Sequence, residues 1–497
     1  MQTPYSSKKL LLIKAQVENS HDEHCAPPLG LIYLAAIAME KCGWDVRLVD
    51  TVLTEDPKAA IRERMEGWKP DVIGLSSLTA ESKSMHQCAR IAREAAPEAI
   101  ILAGGPHPSH YPDKTLEDPA IDGAAIGEGE LSMEDFLNAV AQGHPWRETR
   151  GFAFRGENGG IKKTPSQAFI DQLDDLPFPA WGLLDIHGYA VRKGMSVAGY
   201  RRYMPIMTSR GCPYRCIYCH EMQGKKFRAN SAEYVLKMIH TLVKEYDIHH
   251  FDIFDDIFNW DSKRMEAILD SLIENGPPIR FTFPNALRAD LLSKDQIDKL
   301  CRSGCEYVCL AVETATPRLQ KLVKKNLKLD KVMSAIEAFA AQRVFTVGYF
   351  MLGFPTETEE EIKRTIDYAV RSKLHVALFF TVSPYQGTKL HDMVKADIGN
   401  ASLDLTTNYL LQKCNISDVP DKRFFRLKGW ANMRFYCNPM RIYRIYRDIP
   451  RRNALWKTIK GLIVKTVSML TSRLMSQKPS APPQIKPEVD EFLENCR

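Results

Sequence analysis

Three cysteines stand in one short stretch, Ser209-Arg-Gly-Cys212-Pro-Tyr-Arg-Cys216-Ile-Tyr-Cys219-His220, with three residues between the first two and two between the last two. A loop with these spacings can turn three thiolates towards one centre, and soft sulfur donors select an iron–sulfur cluster, zinc or Cu(I). On a [4Fe–4S] cluster, three cysteines leave one iron without a protein donor, and that open position can take a substrate or cofactor. The alternative is structural zinc, with His220 or a distant residue as fourth ligand. Such sites usually carry a second ligand pair at similar spacing, and none follows here. Cys301, Cys305 and Cys309 read as the end of a helix, a turn and a strand. That placement argues for buried free thiols rather than a second cluster.

The elements that must position this loop follow from the apolar pattern. Pro205-Ile-Met207, Phe251-Asp-Ile-Phe254, Arg280-Phe-Thr-Phe283, Tyr307-Val-Cys-Leu310 and residues 344–352 and 377–382 read as strands, with helices between them that include residues 231–245 and 357–372. Alternation of this kind predicts βα units. The expected carboxyl ends of these strands carry Asp255-Asp256, Glu313, Gly353-Phe-Pro-Thr-Glu357 and Ser383-Pro-Tyr-Gln-Gly-Thr388.

The N-terminal part has its own alternation: Leu10-Leu-Leu-Ile13, Val46-Arg-Leu-Val49, Val72-Ile-Gly-Leu75, Ile100-Ile-Leu-Ala103 and Ala124-Ala-Ile126. It predicts a parallel, doubly wound sheet whose ligand binds beyond the carboxyl ends of the strands. The loops there are Ala26-Pro-Pro-Leu-Gly30, Ser76-Ser77-Leu-Thr79, Gly104-Gly105-Pro-His107 and Gly127-Glu128-Gly129-Glu130. Their glycines permit close backbone approach to a ligand. Gly151-Phe-Ala-Phe-Arg155 and Ile161-Lys-Lys163 read as a hairpin, and Leu173-Asp-Asp-Leu-Pro-Phe-Pro-Ala-Trp181 as a proline-stiffened connector.

Cys212-x3-Cys216-x2-Cys219, with Tyr218 before the last cysteine, resembles the signature of the radical S-adenosylmethionine (SAM) superfamily. The resemblance implies a [4Fe–4S] cluster on those cysteines whose open iron chelates SAM, with one electron then cleaving SAM to methionine and a 5′-deoxyadenosyl radical. The N-terminal loops, opened by Pro27-Pro28-Leu29-Gly30-Leu31, resemble the cobalamin-binding domain that precedes many such enzymes. Asp22-Glu23-His24 begins the usual B12 motif, but Pro27 stands where its glycine belongs. This implies cobalamin held without His24 as lower ligand.

The fold so implied is α/β, with an N-terminal Rossmann-like cobalamin-binding domain (1–145), a hairpin and linker (146–198), a partial (β/α)6 TIM-type radical SAM barrel (199–400) and a helical basic tail (401–497). In the barrel the resemblance places Asp255 and Asp256 at the SAM amino group, Glu313 at the ribose hydroxyls and Arg228 at the carboxylate. A solvated start of a helix is the other reading of Arg228, and a helix cap that of Asp255 and Glu313. Ser76, Ser77, Thr79, Gly104, Gly105, His107, Gly127, Glu128 and Gly129 would line the cobalamin. The implied activity is methylation of an unactivated carbon of a small-molecule, lipid or natural-product substrate, driven by an external reductant of flavodoxin or ferredoxin type. Oxidative cyclisation or rearrangement with the same cofactors is the enzymatic alternative, and a non-catalytic cobalamin or redox sensor the alternative of another class.

Composition bounds the rest. The 497 residues are 44% hydrophobic and 26% charged, as in an ordinary globular protein. No charged and apolar leader or long apolar run is read, so a cytoplasmic protein is expected, with its twelve cysteines reduced. The net charge of +6 is unevenly spread, since residues 422–478 hold fifteen Lys/Arg and one acidic residue. Interleaved with Phe424, Phe425, Trp430, Phe435, Tyr436, Tyr443, Tyr446 and Trp456, these charges suit peripheral contact with an anionic membrane, a lid over an anionic substrate, or a helical cap on the barrel with solvated arginines. No nucleic-acid-binding module accompanies them.

Overall fold

Leu10, Leu11, Leu12 and Ile13 are fully buried at consecutive positions, which a strand achieves when both its faces are covered. This strand, β1 (Lys9–Lys14), lies parallel between β2 (Asp45–Asp50) and β3 (Val72–Ser76). β4 (Ile100–Gly104) and β5 (Gly123–Ala125) continue the parallel sheet in the order β2-β1-β3-β4-β5. The connections hold α1 (Leu29–Ala36), α2 (Pro57–Met65), α3 (Ser82–Ala95) and, after β5, α4 (Glu130–Ala141). On α3 the buried Met85, Cys88, Ala89 and Ala92 repeat at helical spacing and join the core that holds Ile73, Leu75 and Ile101. This is the doubly wound arrangement expected from the sequence, and its switch point lies between β1 and β3.

The structure describes residues 8–15, 25–192, 194–196, 199, 201–398 and 414–452 of this computed structural model. The chain divides into two compact units, residues 1–189 with 222–224 and residues 190–221 with 225–497. The expected hairpin forms as β6 (Phe152–Arg155) and β7 (Ile161–Lys163), but it does not stand apart. β6 pairs antiparallel with β5 and makes the N-terminal sheet seven-stranded. The edge of β5 offers backbone groups that leave no mark in the side-chain pattern.

The second unit holds a six-stranded parallel sheet in sequential order: β8 (Met204–Ile206), then, past a short antiparallel pairing of β9 (Ser209–Arg210) with β10 (Arg228–Ala229), β11 (His250–Ile253), β12 (Arg280–Leu287), β13 (Cys305–Glu313), β14 (Phe345–Leu352) and β15 (Val376–Thr381). The helices α5 (Ala232–Tyr246), α6 (Ser262–Asn275), α7 (Lys294–Arg302), α8 (Pro317–Leu322), α9 (Leu329–Ala341), α10 (Glu359–Arg371) and α11 (Lys389–Ile398) follow the strands. Ser231, Asp261, Ser293 and Thr358 cap α5, α6, α7 and α10 through side-chain acceptors. Cys301 lies on α7, while Cys305 and Cys309 lie on β13, where the Cys309 thiol meets the hydroxyls of Tyr307 and Tyr349.

The described part of the tail forms α12 (Asp421–Tyr436) and α13 (Pro439–Asp448). Phe424 and Phe435 of α12 are fully buried, and burial of each contributes about 2–3 kcal/mol. Tyr436, Ile445 and Ile449 pack with Tyr307, Cys309, Phe345 and Val347 of the sheet. The cap reading is therefore correct for α12, and its solvated arginines hold in part: Arg426, Arg434, Arg447 and Arg452 are exposed, with Arg423 paired to Glu359 and Arg434 to Asp367, whereas Arg441 of α13 is 1% exposed. His24 and Trp456 lie outside the described residues. No helix among the described residues is long and apolar enough to cross a membrane.

Candidate active site

The three-cysteine loop is held from several sides. Gly211, at φ 79°, turns the chain into it, and its N–H donates to Asp256 Oδ2 at 3.1 Å. Ile217 is buried, its N–H bonds Val323 O at 3.2 Å and its carbonyl accepts from Leu390 N at 2.9 Å. Lys225 Nζ donates to Tyr214 O at 2.9 Å, and the Arg288 guanidinium lies 3.6 Å from the centre of the Tyr214 ring. Burial, then the charges of Cys216 and Cys212 with Lys225 and Asp256 nearby, leave the Cys219 thiol pushed up to about 11. The three sulfurs are thus within electrostatic reach of one another, and their thiolate forms need a cationic partner. Among the described residues no three His, Cys, Asp or Glu side chains are grouped tightly enough to hold a single metal ion. Three cysteines of one short loop without a fourth local ligand are a donor set that fits a [4Fe–4S] cluster with one iron left open.

Glu313 ends β13 in the left-handed region, φ 65°. Its Oε1 accepts from Tyr218 Oη at 3.2 Å and from Lys325 Nζ at 3.0 Å, while Oε2 receives no donor among the described residues. Burial works against the Lys325 charge, but Glu313 beside it prevails and the ammonium is held above its usual range. One carboxylate oxygen is therefore fixed by the protein and the other is open to a ligand hydroxyl. Glu313 caps no helix.

The two aspartates after β11 part company. Asp255 is 3% exposed and takes Thr208 N on Oδ1, and Thr208 Oγ1 and Ser209 Oγ on Oδ2, all at 2.6 Å. It ties β11 to the strand leading into the cysteine loop, and α6 is capped by Asp261 instead. Asp256 is exposed and has one oxygen on Gly211. Arg228 is 4% exposed on β10 opposite Arg210, which corrects its reading as a solvated start of a helix.

Beyond β14, Glu357 is fully buried and its Oε2 accepts from Gly353 N at 2.6 Å and Phe354 N at 3.0 Å. Burial pushes its carboxyl up to about 8, so near neutral pH it keeps a proton, which belongs on Oε1 because Oε2 is engaged as acceptor. The loop so stapled sets Phe354 against Tyr218, ring centres 5.9 Å apart. In the turn after β15, Tyr385 lies 5.6 Å from His220. The cysteine loop thus meets the ends of β11, β13, β14 and β15.

In the N-terminal unit the expected residues gather at the carboxyl ends of β3, β4 and β5. Ser77 is turned inward, its hydroxyl on Met85 Sδ at 3.0 Å and its N–H on Gly104 O at 3.2 Å. Gly105 has φ 94°, and a Cβ there would stand 3.0 Å from Ser77 O and 3.2 Å from Ser76 Oγ. That close approach brings two strand-end loops together, and only glycine allows it. His107 is 5% exposed, its Nδ1 buried without a hydrogen-bond partner among the described residues. Burial chiefly, with His86 and Lys114 nearby, lowers it to about 4. Thr79 opens a 3-10 turn, Gly127 at φ 87° has open space where a Cβ would be, Glu128 accepts from Ile170 N at 3.1 Å, and Gly129 abuts Leu34. The strand-end loops thus bring together a glycine that faces open space, Gly127, and one unsatisfied buried nitrogen, His107 Nδ1, at the place where a doubly wound sheet binds its ligand.

Lys325, Arg288, Lys225 and Thr208 were not singled out from the sequence. Lys324-Lys325 reads as a solvated charge run. Arg288, just past the end of β12, was open to detection, since the carboxyl ends of barrel strands are where function concentrates.

A B12-binding domain model matches residues 19–137 and a radical SAM superfamily model matches residues 206–369. An uncharacterized methyltransferase of Pyrococcus horikoshii is 29% identical over 386 residues, covering 77% of this chain and 81% of its own. Cytidylyl-2-hydroxyethylphosphonate methyltransferase of Streptomyces wedmorensis is 27% identical, covering 77% and 80%. Anaerobic magnesium-protoporphyrin IX monomethyl ester cyclase of Rubrivivax gelatinosus is 26% identical, covering 69% and 62%. The structure of the cobalamin-dependent SAM radical enzyme OxsB with aqua-cobalamin and SAM bound superposes with a TM-score of 0.71 at 17% identity, over 93% of this chain and 76% of that one, and shares the fold. With both models matched in the order that the strands and loops predict, the chain carries a B12-binding domain followed by a radical SAM domain.

Proposed function

We propose that this protein is a cobalamin-dependent methyltransferase that uses a [4Fe–4S] cluster and SAM to methylate an unactivated carbon of a small-molecule substrate. The observation that carries the reading is the loop of three cysteines set beside Glu313, whose Oε2 is free for a ligand hydroxyl. When bound, the cofactors supply one-electron cleavage of SAM and a transferable methyl group, chemistry that no side chain can perform.

The protein's share is holding and orienting. Cys212, Cys216 and Cys219 would hold the cluster, and Arg288 and Lys225 fix Tyr214 between the first two. Asp256 has an exposed carboxylate for the SAM amino group, while Asp255 positions the loop through Thr208 and Ser209. Glu313 would take the ribose hydroxyls, with Tyr218 and Lys325 fixing its plane. Arg228 carries the charge for the carboxylate. Tyr218 and Phe354 exclude water, and Glu357 retains its proton on Oε1 and keeps the β14 loop closed without adding a negative charge. Gly104, Gly105 and His107 would bear the cobalamin. An external one-electron reductant of flavodoxin or ferredoxin type is required, and the cytoplasm is the compartment that supplies it.

The cyclase among the relatives supports a second reading, oxidative cyclisation or rearrangement. Anaerobic reconstitution with iron, sulfide, cobalamin and a reductant, followed by mass spectrometry, separates the two. Methyl transfer yields S-adenosylhomocysteine as well as 5′-deoxyadenosine, whereas 5′-deoxyadenosine alone marks the second reading. Production of neither from SAM would overturn both.

A further inference from the structure

α13 buries two charged residues beside Ile445 and exposes four apolar or aromatic ones. Arg441 and Asp448 are 1% and 7% exposed, whereas Met440 (63%), Ile442 (57%), Tyr443 (54%) and Tyr446 (48%) face outward. Positions 439, 442, 443 and 446 share one helical face, and 441, 445 and 448 share another. The inner face is fixed. The Arg441 guanidinium donates to the carbonyls of Val370 in the last turn of α10 and of Ser372 and Leu374 just past it, and Asp448 accepts from Arg447 and from His375 Nε2 at 3.0 Å. His375 Nδ1 accepts from Thr346 N, so the proton is on Nε2. Held this way, the helix cannot turn its apolar face inward.

The rim of that face is cationic. Arg447 lies 5.9 Å from the Tyr443 ring centre and Arg452 lies 5.2 Å from that of Tyr446. Asp448, the single acidic residue within 422–478, is buried and paired. A second copy of the chain would set these arginines against their equivalents. The chain's own residues 453–478 carry Lys457, Lys460, Lys465, Arg473 and Lys478 and no acid, so they would add like charge. An anionic bilayer complements both features, since apolar and aromatic groups enter the boundary between headgroups and acyl chains while guanidinium groups meet phosphates. We propose that α13 is a docking surface through which the protein sits on an anionic lipid bilayer without spanning it.

The test is sedimentation of the full chain with vesicles of mixed phosphatidylglycerol and phosphatidylcholine, or of phosphatidylcholine alone, at low and high salt. The variant Ile442→Ser/Tyr443→Ser/Tyr446→Ser changes only half-exposed side chains, and its fold is checked by circular dichroism. The expected result is binding to the anionic vesicles alone, release by salt, and at least a tenfold lower partition coefficient for the variant. Equal binding of both chains would assign the contact to other cations and overturn the proposal. No binding by either would overturn it too, as would dimerisation, or protection of Met440 and Tyr443 from hydroxyl-radical labelling in the lipid-free monomer.

Discussion

Lys325 and Glu313 form a buried ion pair, Nζ to Oε1 3.0 Å, beside the three-cysteine loop. Glu313, Lys324 and Asn326 all have positive φ, at 65°, 55° and 53°. The left-handed region costs a non-glycine residue about 1–2 kcal/mol, so the fold concentrates strain where the segment carrying Lys325 passes the cysteines. Lys324 O lies 3.9 Å from Cys216 Sγ.

Replacing Cys212, Cys216 and Cys219 together by Ala is expected to abolish the brown chromophore and bound iron. Iron analysis of the anaerobically reconstituted protein checks it, and retention of about four irons per chain would place the cluster elsewhere.

Lys325→Met leaves the Glu313 carboxylate buried without its cation, a change expected to cost about 3 kcal/mol. The double variant Glu313→Gln/Lys325→Met should regain most of that loss in chemical denaturation. Glu313→Gln alone should weaken SAM binding about tenfold, the loss of about 1.4 kcal/mol from one charge-assisted hydrogen bond. Unchanged SAM affinity would remove Glu313 from the binding site.

Gly105→Ala places a Cβ 3.0 Å from Ser77 O at a residue with φ 94°. Destabilisation of about 1–3 kcal/mol and loss of cobalamin binding, read from the visible spectrum, are expected. Gly127→Ala, at φ 87° with open space around it, separates strain from the clash. Equal effects of the two would show that the close contact is immaterial.

His107 makes the N-terminal unit sensitive to acid. Its folded value of about 4 lies below the ordinary 6.5, so the unfolded chain binds the proton first. Stability is full above pH 6.5 and falls as pH drops towards 4, by up to about 3 kcal/mol. His107→Gln should flatten the unfolding profile over that window, and an unchanged slope would contradict this.

Arg441→Met should lower the melting temperature by roughly 4–10 °C, as three carbonyls at the C-terminal end of α10 and just beyond it lose their donor at a cost of about 2–3 kcal/mol. Burial pulls Arg441 down to about 10, so it remains charged at neutral pH and donates as an ion. A smaller loss would mean that water replaces it.

Both sheets were legible in the sequence because a parallel strand covered on two faces must be predominantly apolar, as Leu10 to Ile13 and, but for Thr346, Val344 to Leu352 are. The cysteine loop was legible because three ligands of one cluster must be close in the chain. The partners of that loop were not, since Lys325 and Arg288 reach it from two separate connections, and a cation's partner depends on how strands are ordered rather than on its neighbours in sequence. The same reason separates Asp255 from Asp256. Adjacent residues point opposite ways, so one carboxylate is spent on Thr208 and Ser209 while the other faces outward. In the tail, composition fixed the charge, but only packing decided that Arg441 would be inside and Tyr443 outside. The free carbonyls of Val370, Ser372 and Leu374 demanded a buried donor, and hydrophobicity along the chain does not record that demand.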